Sequence, residues 1–243
     1  MRESMVFEDY SDNLPWDPLV VGGVNAPDTG IAYQVSLRSL LNSHFCGGSI
    51  ISATWVLSAA HCTQRAGNSI NVLIATNTLN AGGITHRSTR VVNHPQYNSR
   101  SLQNDVSVVQ VATPFIMTDR VQVIAMGSDL AGGGLLATLT GWGTTSEPGS
   151  VPNHLQIIQL STITNADCRA RHTVANAAMV FDSKICTFTQ TGQGACRGDS
   201  GGPLVAGTTQ IGIVSWGIPC GRGFPDAYDR VSSHRAWIMA QIS

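Results

Sequence analysis

Near its C-terminal end the chain reads Gly198-Asp199-Ser200-Gly201-Gly202-Pro203. A serine hydroxyl is a poor nucleophile until a neighbouring base takes its proton, so a reactive Ser200 calls for a histidine and a carboxylate elsewhere. Both lie upstream. Ser58-Ala59-Ala60-His61-Cys62 supplies the histidine, and Asn104-Asp105-Val106 supplies a carboxylate just ahead of an apolar run. The order along the chain is therefore His, Asp, Ser.

That order separates competing readings. A Gly-x-Ser-x-Gly elbow on an α/β-hydrolase sheet needs strand–turn–helix around the serine, with acid and histidine following it; subtilisins use yet another order. Here the acid and the histidine precede the serine. Gly141-Trp142-Gly143, Ser215-Trp216-Gly217 and Val20-Val21-Gly22-Gly23 extend the pattern. From Val20 to the C-terminus the chain resembles the chymotrypsin family of serine proteases, and insect digestive chymotrypsins most of all.

The resemblance implies a fold and a set of roles. The fold is all-β: two six-stranded antiparallel Greek-key barrels packed face to face, with a short C-terminal α-helix. It divides the chain into residues 1–19, a first barrel over 20–130, a second over 131–230 and a helix over 231–243. Ser200 is the implied nucleophile, His61 the base, and Asp105 the group that orients the imidazole. The backbone N–H groups of Gly198 and Ser200 form the implied oxyanion hole. A protein that had kept the fold for binding alone would usually have lost one of the three catalytic groups, and all three are present.

Asp199 has a separate implied role. In this family a newly cut N-terminal amine enters the second barrel and pairs with the aspartate before the serine. Val20 matches that new terminus, which makes residues 1–19 an activation peptide and Leu19-Val20 the bond to be cut. Most family members carry arginine or lysine before that bond. No basic residue lies between positions 3 and 19, so a chymotrypsin- or elastase-like enzyme, or the protein itself, is the expected activator.

Substrate preference is read from the primary pocket. Gly194 stands where trypsin-like members place an aspartate, Ala195 adds no polarity, and Gly217 leaves the mouth open. With Ser215 and Trp216 these residues favour large apolar or aromatic side chains. Asp226, in Pro225-Asp226-Ala227-Tyr228, complicates this. A carboxylate there must be solvated, hydrogen-bonded or paired. If it points inward the pocket also takes Arg or Lys, as in the broad-specificity collagenolytic proteases that this Gly/Asp pairing resembles.

Composition sets the remaining bounds. A chain of 243 residues with 42% apolar side chains can bury a substantial core. The net charge of −1 gives no reason to expect a nucleic-acid partner. It hides an asymmetry: Arg2 against Glu3, Glu8, Asp9, Asp12 and Asp17 leaves residues 1–19 at −4 and the remainder at +3. Lys184 is the only lysine.

Six cysteines point to an oxidising compartment, though sequence alone leaves their pairing open. The resemblance selects Cys46–Cys62, Cys168–Cys186 and Cys196–Cys220. No apolar run is long enough to span a membrane, and residues 1–19 lack the apolar core of a signal peptide. The expectation is a secreted monomer, found in a gut lumen and shorn of its signal, that meets protein substrates and protein protease inhibitors. No cofactor is implied. Residues 29–104 contain no Asp or Glu, so no calcium or other metal site is expected there.

Periodicity supports the all-β reading. Ile31–Leu37 alternates, with Ile31, Tyr33, Val35 and Leu37 on one face. Val106–Val111, Leu135–Thr140, His154–Leu160 and Gln210–Trp216 are further β-rich runs. The one expected helix is terminal, capped by Ser232 or Ser233. His94 and His234 are read as surface or packing groups, and Trp142 as packing.

Overall fold

Six strands close a first barrel in the order Gln34–Arg38, His44–Ile50, Trp55–Ser58, Ser107–Val111, Ile84–Asn93 and Asn71–Ile74, which pairs back to the first. A second ring runs Leu136–Gly141, Gln156–Ile163, Lys184–Thr187, Asp226–Arg230, Thr209–Gly217 and Pro203–Ala206, and returns to Leu136–Gly141. Every pairing within the two rings is antiparallel. Val24–Asn25 adds to the edge of Gln156–Ile163, and Ala125–Met126 runs parallel to Thr209–Gly217. The computed structural model describes residues 20–243 apart from 65, 68, 130, 147 and 219; the segment 1–19, with Leu19, lies outside the described residues.

Closure leaves no unpaired sheet edge within each ring and lets each barrel bury its inward side chains. Val35, Leu37, Ile50, Val56, Leu57, Val72 and Val108 fill the first. Leu139, Leu160, Ile185, Leu204, Val214 and Tyr228 fill the second, together with Val20. Between the barrels, Val205 and Ile213 pack with the first-barrel core, and polar bonds add to this contact. The Thr140 Oγ1 hydroxyl donates to Gln34 Oε1 at 2.6 Å, Ser49 Oγ donates to Gln210 Oε1 at 2.6 Å, and the Gly47 N–H donates to the Ser200 carbonyl at 2.8 Å. A Cβ on Gly47 would lie 2.9 Å from the Gly202 Cα, so glycine at 47 lets the barrels approach beside Ser200.

The first expected strand begins later than its alternation suggests. Ile31 accepts a turn bond from the Gln34 N–H at 2.9 Å, and the ladder starts at Gln34. All five residues of Gln34–Arg38 are buried, because Gln34 and Ser36 face polar partners rather than solvent.

The terminal helix is Val231–Ile242, but neither serine caps it. Its N-cap is Arg230, with no capping side-chain bond, and Ser232 and Ser233 lie in the first turn. The buried strand Asp226–Arg230 runs straight into the helix, which fixes the start at Val231. Short helices also form over Asn165–Ala170 and Val174–Ala177, each with a threonine N-cap. For the first, the Thr164-x-x-Asp167 spacing is a helix-start signal that periodicity alone misses.

The three disulfides are Cys46–Cys62, Cys168–Cys186 and Cys196–Cys220. Among the described residues no helix is long and apolar enough to cross a membrane.

Candidate active site

His61 sits in a single helical turn, Ala60–Thr63, directly after the strand Trp55–Ser58. The Cys46–Cys62 disulfide ties that turn to the neighbouring strand. Asp105 meets it from the segment before Ser107–Val111. One carboxylate oxygen accepts the His61 backbone N–H at 2.8 Å and the other accepts from Nδ1 at 2.6 Å. A carboxylate can only accept, so Nδ1 carries a hydrogen, and in the neutral ring Nε2 is the nitrogen with the lone pair.

Asp105 is fully buried. Burial works against its charge, but the His61 ring, the His61 N–H and Lys184 together hold the carboxyl below its usual range. The Ser215 hydroxyl donates to the same oxygen that faces His61, at 2.7 Å.

Ser200 lies in the turn between Cys196 and Pro203, closed by the bonds Asp199 N–H to Cys196 O and Gly202 N–H to Asp199 O. Gly198 has φ +104°, where a side chain would be strained, and a Cβ there would also press on the Trp142 carbonyl. Among the described residues, neither the Gly198 nor the Ser200 N–H has a hydrogen-bond partner. Ser200 Oγ likewise makes no hydrogen bond, to His61 or to any other described residue; in unliganded sites such bonds are often long and tighten only with substrate.

A cavity of about 290 Å³ opens beside Ser200, walled by Val214, Ser215, Trp216 and Gly217 on one side and Ala195, Cys196 and Arg197 on the other, with Asp226 also lining it. Asp226 is nearly fully buried, and its Oδ2 accepts the Ala195 N–H at 2.7 Å. Its carboxylate occupies the space that side chains at Gly194 and Gly217 would need. Oδ1 has no hydrogen-bond partner among the described residues. Burial pushes the Asp226 carboxyl up to about 8; the Ala195 N–H opposes this and the nearby Asp199 adds to it.

Asp199 points away from the cavity. It has no exposed surface and accepts from the Gly143 N–H at 2.8 Å and the Cys196 N–H at 2.9 Å. Burial raises it to about 6, against those two bonds. Gly141 and Gly143 flank it so closely that neither could carry a side chain. Val20 is also fully buried, packed in the second-barrel core, and the Val21 carbonyl accepts from the Gly194 N–H at 3.2 Å.

A family model described as Trypsin matches residues 20–238 of this chain. The chain belongs to the trypsin family of serine proteases. Chymotrypsin-2 of Vespa crabro is 41% identical over 222 residues, spanning 90% of this chain and 98% of that protein. Trypsin alpha-4 of Lucilia cuprina is 34% identical over 229 residues (93% and 89%), and anionic trypsin of Bos taurus 34% over 236 (93% and 91%). The protein is a chymotrypsin-fold serine endopeptidase, a class whose substrates and inhibitors are proteins.

Two features of this protease were not read from its sequence. His44 bridges the barrels: its Nε2 meets the Gly198 carbonyl at 3.0 Å and its Nδ1 the Ser36 hydroxyl at 2.8 Å. A carbonyl only accepts, so Nε2 carries the hydrogen. Burial keeps the ring neutral by lowering it to about 4, with the Gly198 bond opposing. Nothing in the flanks of His44 announces this. The second feature is a buried polar group around Lys184, Asp229 and His234. Of the two readings of His234, surface or packing, the structure shows the second: it is buried and hydrogen-bonds Asp229.

Cys46, His61 and Cys62 also bring potential metal-ligand atoms together. Both sulfurs are committed to a disulfide, so neither is available as a thiolate ligand.

Proposed function

We propose that Ser200, His61 and Asp105 form the catalytic triad of a secreted digestive endopeptidase that acts after cleavage at Leu19–Val20. The observation that carries this reading is the His61–Asp105 pair. It makes Nε2, 3.7 Å from the Cys62 sulfur, the basic nitrogen of the neutral ring, in the site that contains Ser200 and two N–H groups without partners among the described residues. His61 takes the Ser200 proton as Oγ attacks the scissile carbonyl, then returns it to the leaving amine, leaving an acyl-enzyme that water hydrolyses. The Gly198 and Ser200 N–H groups stabilise the oxyanion, each worth on the order of 10²–10³ in rate.

Activation follows from Asp199. Its carboxylate is fully buried with two N–H donors and no cation among the described residues, while Val20 is buried in the same barrel. Cutting at Leu19–Val20 supplies an amine to pair with Asp199; a buried charge without a partner is the costly state. The activator is a chymotrypsin- or elastase-like protease or the protein itself, and the active form is a monomer.

Large apolar and aromatic residues are the preferred partners of the primary pocket at neutral pH, because burial keeps much of Asp226 protonated there. The position of Asp226 favours a second reading as well: its Oδ1 is free to receive Arg or Lys once ionised. Processing the protein with chymotrypsin and profiling cleavage across a mixed peptide library tests both. Cuts after Phe, Tyr, Leu and Met, silenced on the order of 10⁵–10⁶-fold in Ser200→Ala, are expected. Undiminished cleavage by Ser200→Ala would end the catalytic reading.

A further inference from the structure

Lys184 is the only lysine of the chain, and it is fully buried. It opens the strand Lys184–Thr187, directly across from Asp229. An ammonium has three hydrogens and no acceptor, and three acceptors surround this one. They are the Leu102 carbonyl at 2.6 Å, the Ser215 hydroxyl at 3.0 Å and Asp229 Oδ2 at 2.6 Å. Asp229 Oδ1 in turn accepts from His234 Nε2 at 3.1 Å.

Two of those bonds lead to Asp105. Because the ammonium only donates, Ser215 Oγ must accept from it, and the hydroxyl hydrogen is left for Asp105 Oδ2, 2.7 Å away. A continuous chain therefore runs from Lys184 through Ser215 to Asp105 and His61. The third acceptor, Leu102, lies three residues before Asp105. Leu102 and Asn104 have φ +53° and +55°, conformations uncommon for residues with a side chain. A backbone held in such a shape needs surroundings that over-determine it, and the Lys184–Leu102 bond is one such tie.

Stability alone gives weak grounds for this arrangement. Replacing a buried ion pair by apolar groups of similar volume is often neutral or stabilising. We propose that Lys184, anchored by Asp229, is a positioning residue for the Asp105–His61 pair: it fixes the Ser215 hydroxyl as a donor to Asp105 and ties down the loop that carries it. Lys184 touches neither substrate nor reacting atoms and acts only through Ser215 and Leu102. The inference rests on the catalytic reading given above.

Two variants test it. Lys184→Met keeps the side-chain length but strands Asp229, and its folding is at risk. Lys184→Met/Asp229→Asn removes both charges and keeps an acceptor for His234. In the folded, processed double variant, kcat on an aromatic peptide should fall on the order of 10- to 100-fold with KM little changed. In the full-length chain the His61 Nδ1–H proton resonance should move or broaden. A purely structural lysine would alter the melting temperature and leave both readouts alone, so unchanged kcat and an unmoved Nδ1–H signal overturn the proposal.

A measurement on the unmutated, processed protein removes any dependence on folding of the variants. With ¹⁵N-labelled lysine there is a single ammonium resonance, which should shift when a peptide boronic acid bonds to Ser200; no shift contradicts the proposal. Ser200→Ala separates the levels. If it leaves peptidase activity intact, the catalytic reading falls. If it silences activity while the double variant matches the parent, only the role of Lys184 falls.

Discussion

On the proposed reading of the pocket, Asp226 should make substrate preference a function of pH. Its carboxyl lies at about 8 because burial disfavours the charge. From that value, about a tenth is ionised at pH 7 and about nine tenths at pH 9. An Arg side chain entering the pocket is favoured by the ionised form and a Phe side chain by the neutral one. The ratio of kcat/KM for an Arg peptide to that for a matched Phe peptide should therefore rise at least about tenfold from pH 7 to pH 9, about tenfold from the gain in Arg cleavage alone and towards about 100-fold as Phe cleavage falls with the neutral fraction. Taking the ratio cancels every ionisation that both substrates share, that of His61 included. Asp226→Asn keeps the Ala195 hydrogen bond and the shape of the pocket but removes the titration. It should flatten the ratio and lower Arg cleavage at pH 9 by at least about tenfold. The assay is initial-rate hydrolysis of the two peptides by the processed protein from pH 6 to 10. A flat ratio in the parent, or Arg cleavage unaffected by Asp226→Asn, would refute the reasoning.

Other consequences follow from the same geometry. Asp199→Asn should abolish activity after processing yet stabilise the uncleaved chain. The folded-state value of about 6 lies above the ordinary 3.8, so stability is fullest below about pH 4 and is lost as pH climbs through about 6. The gain at pH 7.5 should reach about 3 kcal/mol, read from denaturant melts. Incubation with chymotrypsin should yield a Val20 terminus by N-terminal sequencing, whereas trypsin should not; a Val20 terminus made only by trypsin counts against the proposed activator. Gly198→Ala should cut kcat about 10²-fold or more, since φ +104° strains alanine and the change displaces an oxyanion donor. Replacing Cys46 and Cys62 by alanine should cost about 3 kcal/mol of stability for their 16-residue separation, seen as a lower melting temperature.

Much of this site was legible because its chemistry is concentrated in short runs. The order of His61, Asp105 and Ser200 singled out one arrangement, and Gly198 marked a close approach of backbone; Gly194 and Gly217 read in sequence as an open pocket, whereas the Asp226 carboxylate fills the space that side chains there would need. The direction of Asp226 was not legible, because it depends on which face of a buried strand meets the cavity. His44 and Lys184 escaped for a related reason. Each acts through partners far away in sequence, the Gly198 carbonyl for one and Ser215 and Leu102 for the other, so no local pattern records the contact. Lys184 did leave one compositional trace: it is a lone lysine where every other basic side chain except histidine is arginine. The helix cap was misassigned because serine at a capping distance is a local preference, and the buried strand running into Val231 overrides it.

The central claim is that Ser200 is the nucleophile and His61 its base. An aryl sulfonyl fluoride, which sulfonylates an activated serine far faster than an ordinary hydroxyl, tests it most directly when applied to the processed protein and followed by peptide mapping. The account predicts one adduct, on Ser200, formed in step with loss of peptidase activity and absent in His61→Ala. An adduct on another residue, or full activity in protein modified at Ser200, would contradict it.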